Sequence, residues 1–400
     1  MPAVRKLFFF TQSDIDNFQT NYPNCTEIEG DIYISGDSSI TDLNDLSVLT
    51  SVGRDLAIGK GVELYFGIND NLNSLAGLNN LTSIGRDLVI GYSGPGPGSG
   101  GANPILVNLT GLEGLTSIGR DLNIKNNVSL TNLSGLDNLN SLGGEIMIEN
   151  NYSLTSLTSL DNLDSIWGDI LIHHNLNLLN LTGLENLTYI EGGLYIGSST
   201  YYNSSLTSLI GLESLTSIGE YLKIADNSSL TSLTSLYNLT SIGAGLTIQH
   251  NTSLTSLEGL DNIDAGTIEN LNIYNNNFLS TCEVQSICDY LASPNGEVEI
   301  HDNATGCNSQ EEVEEACDAI INVEIYVAEN YSIYPNPVTD IATFSSKDIT
   351  SIELFDLMGA LIIRRMNNKV DISNLNPGIY FVIGYDIHLK PLYKGKVIKK

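Results

Sequence analysis

Apolar residues recur at every third position along much of this 400-residue chain, most clearly in SLTSLTSLDNLDSIWGDILIHHN (153–175). Leu154, Leu157, Leu160, Leu163 and Ile166 stand three apart. A strand alternates with a period of two and an amphipathic helix with about 3.6, so a period of three predicts neither. The same stretch then alternates at Ile170 and Ile172, which predicts one short strand.

Such L-x-I pairs begin at Ile32, Leu56, Leu88, Leu122, Ile146, Ile170, Leu194, Leu222, Leu246 and Leu271. Their commonest spacing is 24 residues, and the longer steps hold insertions such as the Gly/Pro-rich GYSGPGPGSGGANP (91–104), which suits a surface loop. A fixed period of this length with one alternating segment per unit predicts a solenoid. The strands are expected to stack as a parallel ladder about 4.8 Å apart, ten coils giving a rod on the order of 45–50 Å. The L-x-x-L-x-x-L portion is then a return arc that bends around the core. Val298 and Ile300 would add an eleventh rung inside the C-terminal cap.

Two further columns support this register. Asn127, Asn151, Asn175, Asn227, Asn251, Asn276 and Asn303 each follow the strand Ile by three residues. Asn turned inward at a coil corner can bond backbone groups of adjacent coils that burial would otherwise leave unpaired. Gly53, Gly85, Gly119, Gly143, Gly219 and Gly243 follow an apolar residue at the other corner, where a tight turn with positive φ is expected.

Composition narrows the class. Charged residues make up 16 % and aliphatics abound, which argues against disorder. No apolar run approaches the roughly 18 residues of a membrane span. The net charge of −30 is unevenly placed: residues 1–330 carry 8 basic and 41 acidic residues, whereas residues 331–400 carry nine and six. A surface that acidic disfavours nucleic acid and anionic membranes, and it keeps a monomeric secreted chain soluble. No DxDxDG-type calcium loop accompanies it. Cys25, Cys282, Cys288, Cys307 and Cys317 flank the repeats, which suits disulfides in the caps and an oxidising compartment. The apolar run Leu7–Phe10 is too short for a signal peptide.

The repeated L-x-I-x-x-N-x-S-L resembles the leucine-rich repeat core. Without a helix, and in the form LTSIGGDLxI, it is more similar to the receptor L-domain family. That resemblance covers about residues 8–320 and implies a single-strand-per-coil, right-handed β-solenoid. QSDIDNFQTNYPNCTEIEGDIYISG (12–36) resembles the N-terminal cap of such domains in secreted proteins of Bacteroidetes-type bacteria, and Cys282–Cys317 resembles the C-terminal cap. Related N-terminal caps carry a further Cys, so Cys25 is expected to lack its partner, and the true start of the protein is expected to lie upstream. The implied division is 1–30 cap, 31–281 repeats, 282–320 cap and 321–330 linker.

After about Ile320 the leucine period stops. Alternating segments separated by Gly, Pro and Asn turns predict a small Ig-like β-sandwich over 331–400, completing an all-β chain. Its opening Tyr334-Pro335-Asn336-Pro337, the turn from Phe355-Asp356 to Gly359, Gly378 and the terminal Lys399 and Lys400 resemble the type A sorting domain of the type IX secretion system. The resemblance implies export to the cell surface or medium, with the secretion machinery as one partner.

Candidate chemistry is sparse. His173, His174, His250 and His301 follow strands but lack companions at ligand spacing, so no metal or cofactor is expected. No GxSxG, HExxH or Walker loop is present, so an enzyme is not expected. Outward strand positions read Tyr33, Ala57, Val89, Asn123, Met147, Leu171, Tyr195, Lys223, Thr247 and Asn272. Met147, Leu171 and Tyr195 could form a patch for an extracellular protein or glycan, or be ordinary strand-face variation. Trp167 replaces a corner Gly, as a sugar-stacking platform or as local packing; with His173 it completes the candidate set. Columns of Thr131 and Thr155, and of Thr207, Thr231 and Thr255, admit an ice-binding alternative, and a purely structural surface layer or a polysaccharide-active enzyme are further alternatives.

Overall fold

The structure, a computed structural model, describes residues 6–36, 38–59, 69–91, 102–198, 202–321, 333–355, 361–387 and 391–400. The chain divides into two compact units, 1–317 and 318–400. The first is a parallel β-solenoid of about eleven turns. Its main sheet has twelve strands in chain order: β1 (Lys6–Phe9), β2 (Asp31–Ile34), β3 (Leu56–Ile58), β4 (Leu88–Gly91), β5 (Leu122–Lys125) and β6 (Ile146–Glu149). It continues through β7 (Ile170–His173), β8 (Leu194–Ile196), β9 (Leu222–Ala225), β10 (Gly245–Gln249), β11 (Asn270–Tyr274) and β12 (Val298–His301). The register places strand Leu on Leu and Ile on Ile, as in Ile146↔Ile170↔Leu194.

The period of three is a chain of one-turn bonds. In the coil that ends in β7, Leu154 N–H donates to Asn151 O, Leu160 N–H to Leu157 O and Leu163 N–H to Leu160 O, at 3.0–3.2 Å. Each such turn advances three residues and returns a side chain to the same side, so Leu154, Leu157, Leu160, Leu163 and Ile166 are all essentially inaccessible. Burying one Leu contributes roughly 1.5–3 kcal/mol, and every coil repeats the set.

Two-residue strands just before the second corner form shorter parallel ladders. One has five strands, from Glu27–Ile28 up to Ser141–Leu142, and the other has four, from Ser165–Ile166 up to Ser241–Ile242. The ladder is therefore interrupted between Leu142 and Ser165.

The corner glycines correct the expectation of positive φ. Gly53, Gly85, Gly119, Gly143, Gly219 and Gly243 are absent from that region and are required by close approach instead: a Cβ on Gly119 would lie 2.2 Å from Gly85 O, and one on Gly243 would lie 1.9 Å from Gly219 O. Positive φ falls at two other columns. Gly77, Gly111, Gly135, Gly183, Gly211 and Gly259 adopt it in the arc, with Ser159 at the same place in the coil of β7. After the strands, Asn126, Asn150, His174, Asp226, His250, Asn275 and Asp302 have φ of 54–59°.

A buried Asn ladder runs beside those residues. Asn151 Nδ2 donates to Ile124 O (2.9 Å) and its Oδ1 accepts from Asn127 N–H (3.1 Å), and Asn175, Asn227, Asn251, Asn276 and Asn303 make equivalent bonds to the coil below. Asn69, Asn103 and Asn203 extend the ladder in the coils whose spacing exceeds 24 residues.

Helices α1 (Gln12–Asp16) and α2 (Phe18–Asn21) close the lower end with buried Ile15 and Phe18. At the upper end lie α3 (Gln285–Ala292) and α4 (Gln310–Ile321). Disulfides Cys282–Cys307 and Cys288–Cys317 cross-link this cap, and Cys25 is a free thiol. The second unit holds a three-stranded and a four-stranded antiparallel sheet around Phe344, Ile352, Leu354, Val382 and Val397. The expected linker lies almost wholly outside the described residues.

Candidate functional site

The outward column of the main sheet is continuous from Phe8 to Glu299. Ala57 and Val89 are buried, whereas Met147, Leu171 and Tyr195 are partly exposed and neighbour one another across β6, β7 and β8. At the lower end Phe8 stacks on Tyr33 (5.3 Å) and Phe10 (5.6 Å), with the Lys6 ammonium over Phe8 and Tyr33.

Trp167 lies at the corner between the short ladder and β7, in the coil where that ladder restarts. It is 61 % exposed and meets Tyr189 edge to face at 6.4 Å. The Tyr189 hydroxyl donates to the Glu191 carboxylate. The Tyr195 ring covers Gly193, where a Cβ would fall 2.6 Å from it, and the exposed Tyr221 lies against Gly245. Burial and then the charges of Asp169 and Glu220 raise the Tyr195 phenol above its ordinary range.

Beneath these rings runs a column of acids one residue before the strands: Asp31, Asp55, Asp87, Asp121, Glu145 and Asp169. Backbone N–H groups of the next coil donate to the five aspartates, from Asp55 N to Asp31 (3.4 Å) up to Gly193 N to Asp169 (2.7 Å). In the lower coils an arginine also reaches down to each acid: Arg54 to Asp31 (3.4 Å), Arg86 to Asp55 (3.6 Å) and Arg120 to Asp87 (3.8 Å). Gly144, Gly168 and Gly192 hold the arginine position above, so Glu145 and Asp169 have no ion-pair partner. Burial, followed by the charge of Asp121, holds the Glu145 carboxyl above its usual range.

The histidines do not converge. Burial, reinforced by Lys223 and Lys125, lowers His173 to about 4, and its Nε2 is buried with no hydrogen-bond partner. His174 bonds Asn150 through Nδ1 (2.5 Å) and packs edge to face with Tyr152 and Tyr202. His250 meets Tyr274 edge to face, and His301 stacks on that ring from the other side. Among the described residues no group of three or more His, Cys, Asp or Glu side chains is placed to hold a metal ion. In the arc, Thr131, Thr155, Thr207 and Thr231 donate their hydroxyls to the carbonyls of the coil below.

In the second unit Asn336 ties the Tyr334–Pro337 opening to the last strand: its Nδ2 donates to Lys396 O (2.9 Å) and its Oδ1 accepts from Ile398 N–H (2.8 Å). Gly378 pairs with Lys399, whose ammonium donates to Thr339 O, and Lys400 N–H donates to Val338 O. Gly359 and its turn lie outside the described residues.

Residues 332–388 match the family described as "Secretion system C-terminal sorting domain". No curated protein matches the chain. The matched segment is the type IX sorting domain, which directs the protein to the outer surface or the medium. Among the described residues no helix is long and apolar enough to cross a membrane.

Proposed function

We propose that this is a secreted recognition protein without catalytic activity. Its leucine-rich-repeat-like solenoid, of receptor L-domain type, binds extracellular protein or glycan as a monomer through the face of Met147, Trp167, Leu171, His173 and Tyr195. The observation that carries the reading is Trp167: a large ring held 61 % in water where the short ladder restarts, three residues before a strand whose Leu171 is in register with Met147 and Tyr195. Trp and Tyr in that setting dominate binding energies where proteins meet ligands. The L-domain relation is supported by coils that carry one long strand, an arc of one-turn bonds and an Asn ladder, with the α-helices among the described residues of this unit confined to its ends.

The non-catalytic reading is supported by the histidines, whose ring nitrogens are engaged with Asn150, Asn275 or Asp302, or are buried and neutral. The threonine columns do not favour ice binding, because their hydroxyl protons are already committed to backbone carbonyls. The test is to present the full-length chain and its Trp167→Ala variant to arrays of extracellular glycans and proteins. A ligand that the variant loses at least tenfold supports the reading, and no signal above background for the wild type sinks it.

A further inference from the structure

Resting on the reading of the Trp167 corner as a recognition site, we propose that the corner binds an oligosaccharide of amino sugars with free ammonium groups. The carriers are the rings. Trp167 is 61 % exposed and Tyr221 42 %, Tyr189 meets Trp167 at 6.4 Å, and Tyr195 lies one coil below Tyr221 in the stack. Exposed aromatic faces stack on the apolar C–H faces of pyranose rings. The rings stand on three successive coils, Trp167 and Tyr189 at the corner and Tyr195 and Tyr221 at the strand, so together they can meet more than one sugar of a chain.

The change of neighbours along the stack sets the charge of the ligand. Arg54, Arg86 and Arg120 pair with the acid column below the corner. At the arginine position the coils of Trp167 and Tyr195 carry Gly168 and Gly192, the coil below them carries Gly144, and the coil of Tyr221 carries Glu220. That exchange removes three long side chains from the corner and leaves Glu145 and Asp169 unpaired. Glu191 already accepts from Tyr189, and Glu220, directly before Tyr221, adds a fourth carboxylate. Carboxylates accept from sugar hydroxyls and, more strongly, from ammonium groups, while Trp and Tyr faces attract the same cations. A uronic or sulfated sugar would meet the negative charge of four carboxylates, which Lys125 beside Glu145 offsets only in part. Lys223, next to Tyr195 across β8 and β9, marks the upper limit of the anionic stretch.

The experiment is calorimetric titration of the full-length chain with the hexamer of β-1,4-glucosamine at pH 6, beside the N-acetylated hexamer and a galacturonate hexamer. The wild type should bind the glucosamine hexamer at least fivefold more tightly than the acetylated one and should not bind the galacturonate. Trp167→Ala should weaken binding of the glucosamine hexamer at least tenfold. Glu145→Gln with Asp169→Asn should abolish the preference for free amines while leaving the weaker acetylated binding within twofold. Thermal melts confirm folding of both variants, since Trp167 is exposed and both amides keep an acceptor oxygen. No binding of the glucosamine hexamer, equal binding of the galacturonate, or an unaffected Trp167→Ala overturns the proposal. If the arrays return a Trp167-dependent protein instead, this inference falls and the recognition reading stands.

Discussion

Truncating Asn151 to Ala removes one rung from the middle of the buried ladder. The side chain is inaccessible, and it donates to Ile124 O at 2.9 Å while accepting from Asn127 N–H at 3.1 Å. A methyl group satisfies neither, and the site is closed to solvent in the native chain. Leaving a buried polar group unpaired costs about 1–3 kcal/mol, so two of them make the expected loss roughly 2–6 kcal/mol. Asn140→Ala is the control: that side chain is exposed, and substitutions of this kind usually stay within about 0.5 kcal/mol. Urea unfolding of the full-length chain followed by far-ultraviolet circular dichroism reads the difference. Amide exchange should locate it, because in a stack each coil leans only on its neighbours, so β5 and β7 should lose protection before β2 or β11. If Asn151→Ala and Asn140→Ala unfold within 0.5 kcal/mol of each other, the ladder does not hold the coils together and the reasoning fails.

Gly119→Ala places a Cβ 2.2 Å from Gly85 O without changing the φ region, so it should cost more than about 2 kcal/mol through backbone displacement alone, measured by the same unfolding. His173 should keep a neutral imidazole down to about pH 5 in an NMR titration of its ring protons. Because its folded pKa of about 4 lies below the unfolded 6.5, its contribution to stability is complete above pH 6.5 and is lost as pH falls through 4. His173→Gln should flatten that slope by about 3 kcal/mol at most. Deleting residues 331–400 should leave the solenoid in the periplasm, detected by fractionation, and unchanged surface display would contradict the role of the sorting domain.

The coil was legible because its two periods are direct images of its geometry: every third residue where one-turn bonds follow one another, and every second where the chain extends. Register followed from the L-x-I spacing. Counting from the preceding strand misses three ladder residues, because extra residues intervene before Asn69, Asn103 and Asn203. Counted from the following leucine the spacing never changes, as Asn69–Leu72, Asn103–Leu106 and Asn203–Leu206 show. The run Leu7–Phe10 was set against the length of a signal peptide, although Leu7 and Phe9 point inward and Phe8 outward as in any other rung. Corner glycine was assigned to the wrong cause, since sequence does not distinguish a residue chosen for its φ from one chosen to let two backbones meet. Trp167 stood out by replacing such a glycine. Its companions Tyr189 and Tyr221 did not, because a ring's neighbours on adjacent coils emerge only once the coils are stacked. The exchange of Gly-Arg-Asp (53–55, 85–87, 119–121) for Gly-Gly-Glu (143–145) and Trp-Gly-Asp (167–169) was the available signal.

The recognition reading is tested most directly by amide exchange on the full-length chain, free and saturated with a ligand returned by the arrays. Protection should be concentrated in residues 145–149, 165–173 and 189–197, on the outward strand positions and the corner that holds Trp167. Protection confined to the leucine arc or to the caps, with those three segments unchanged, would contradict it.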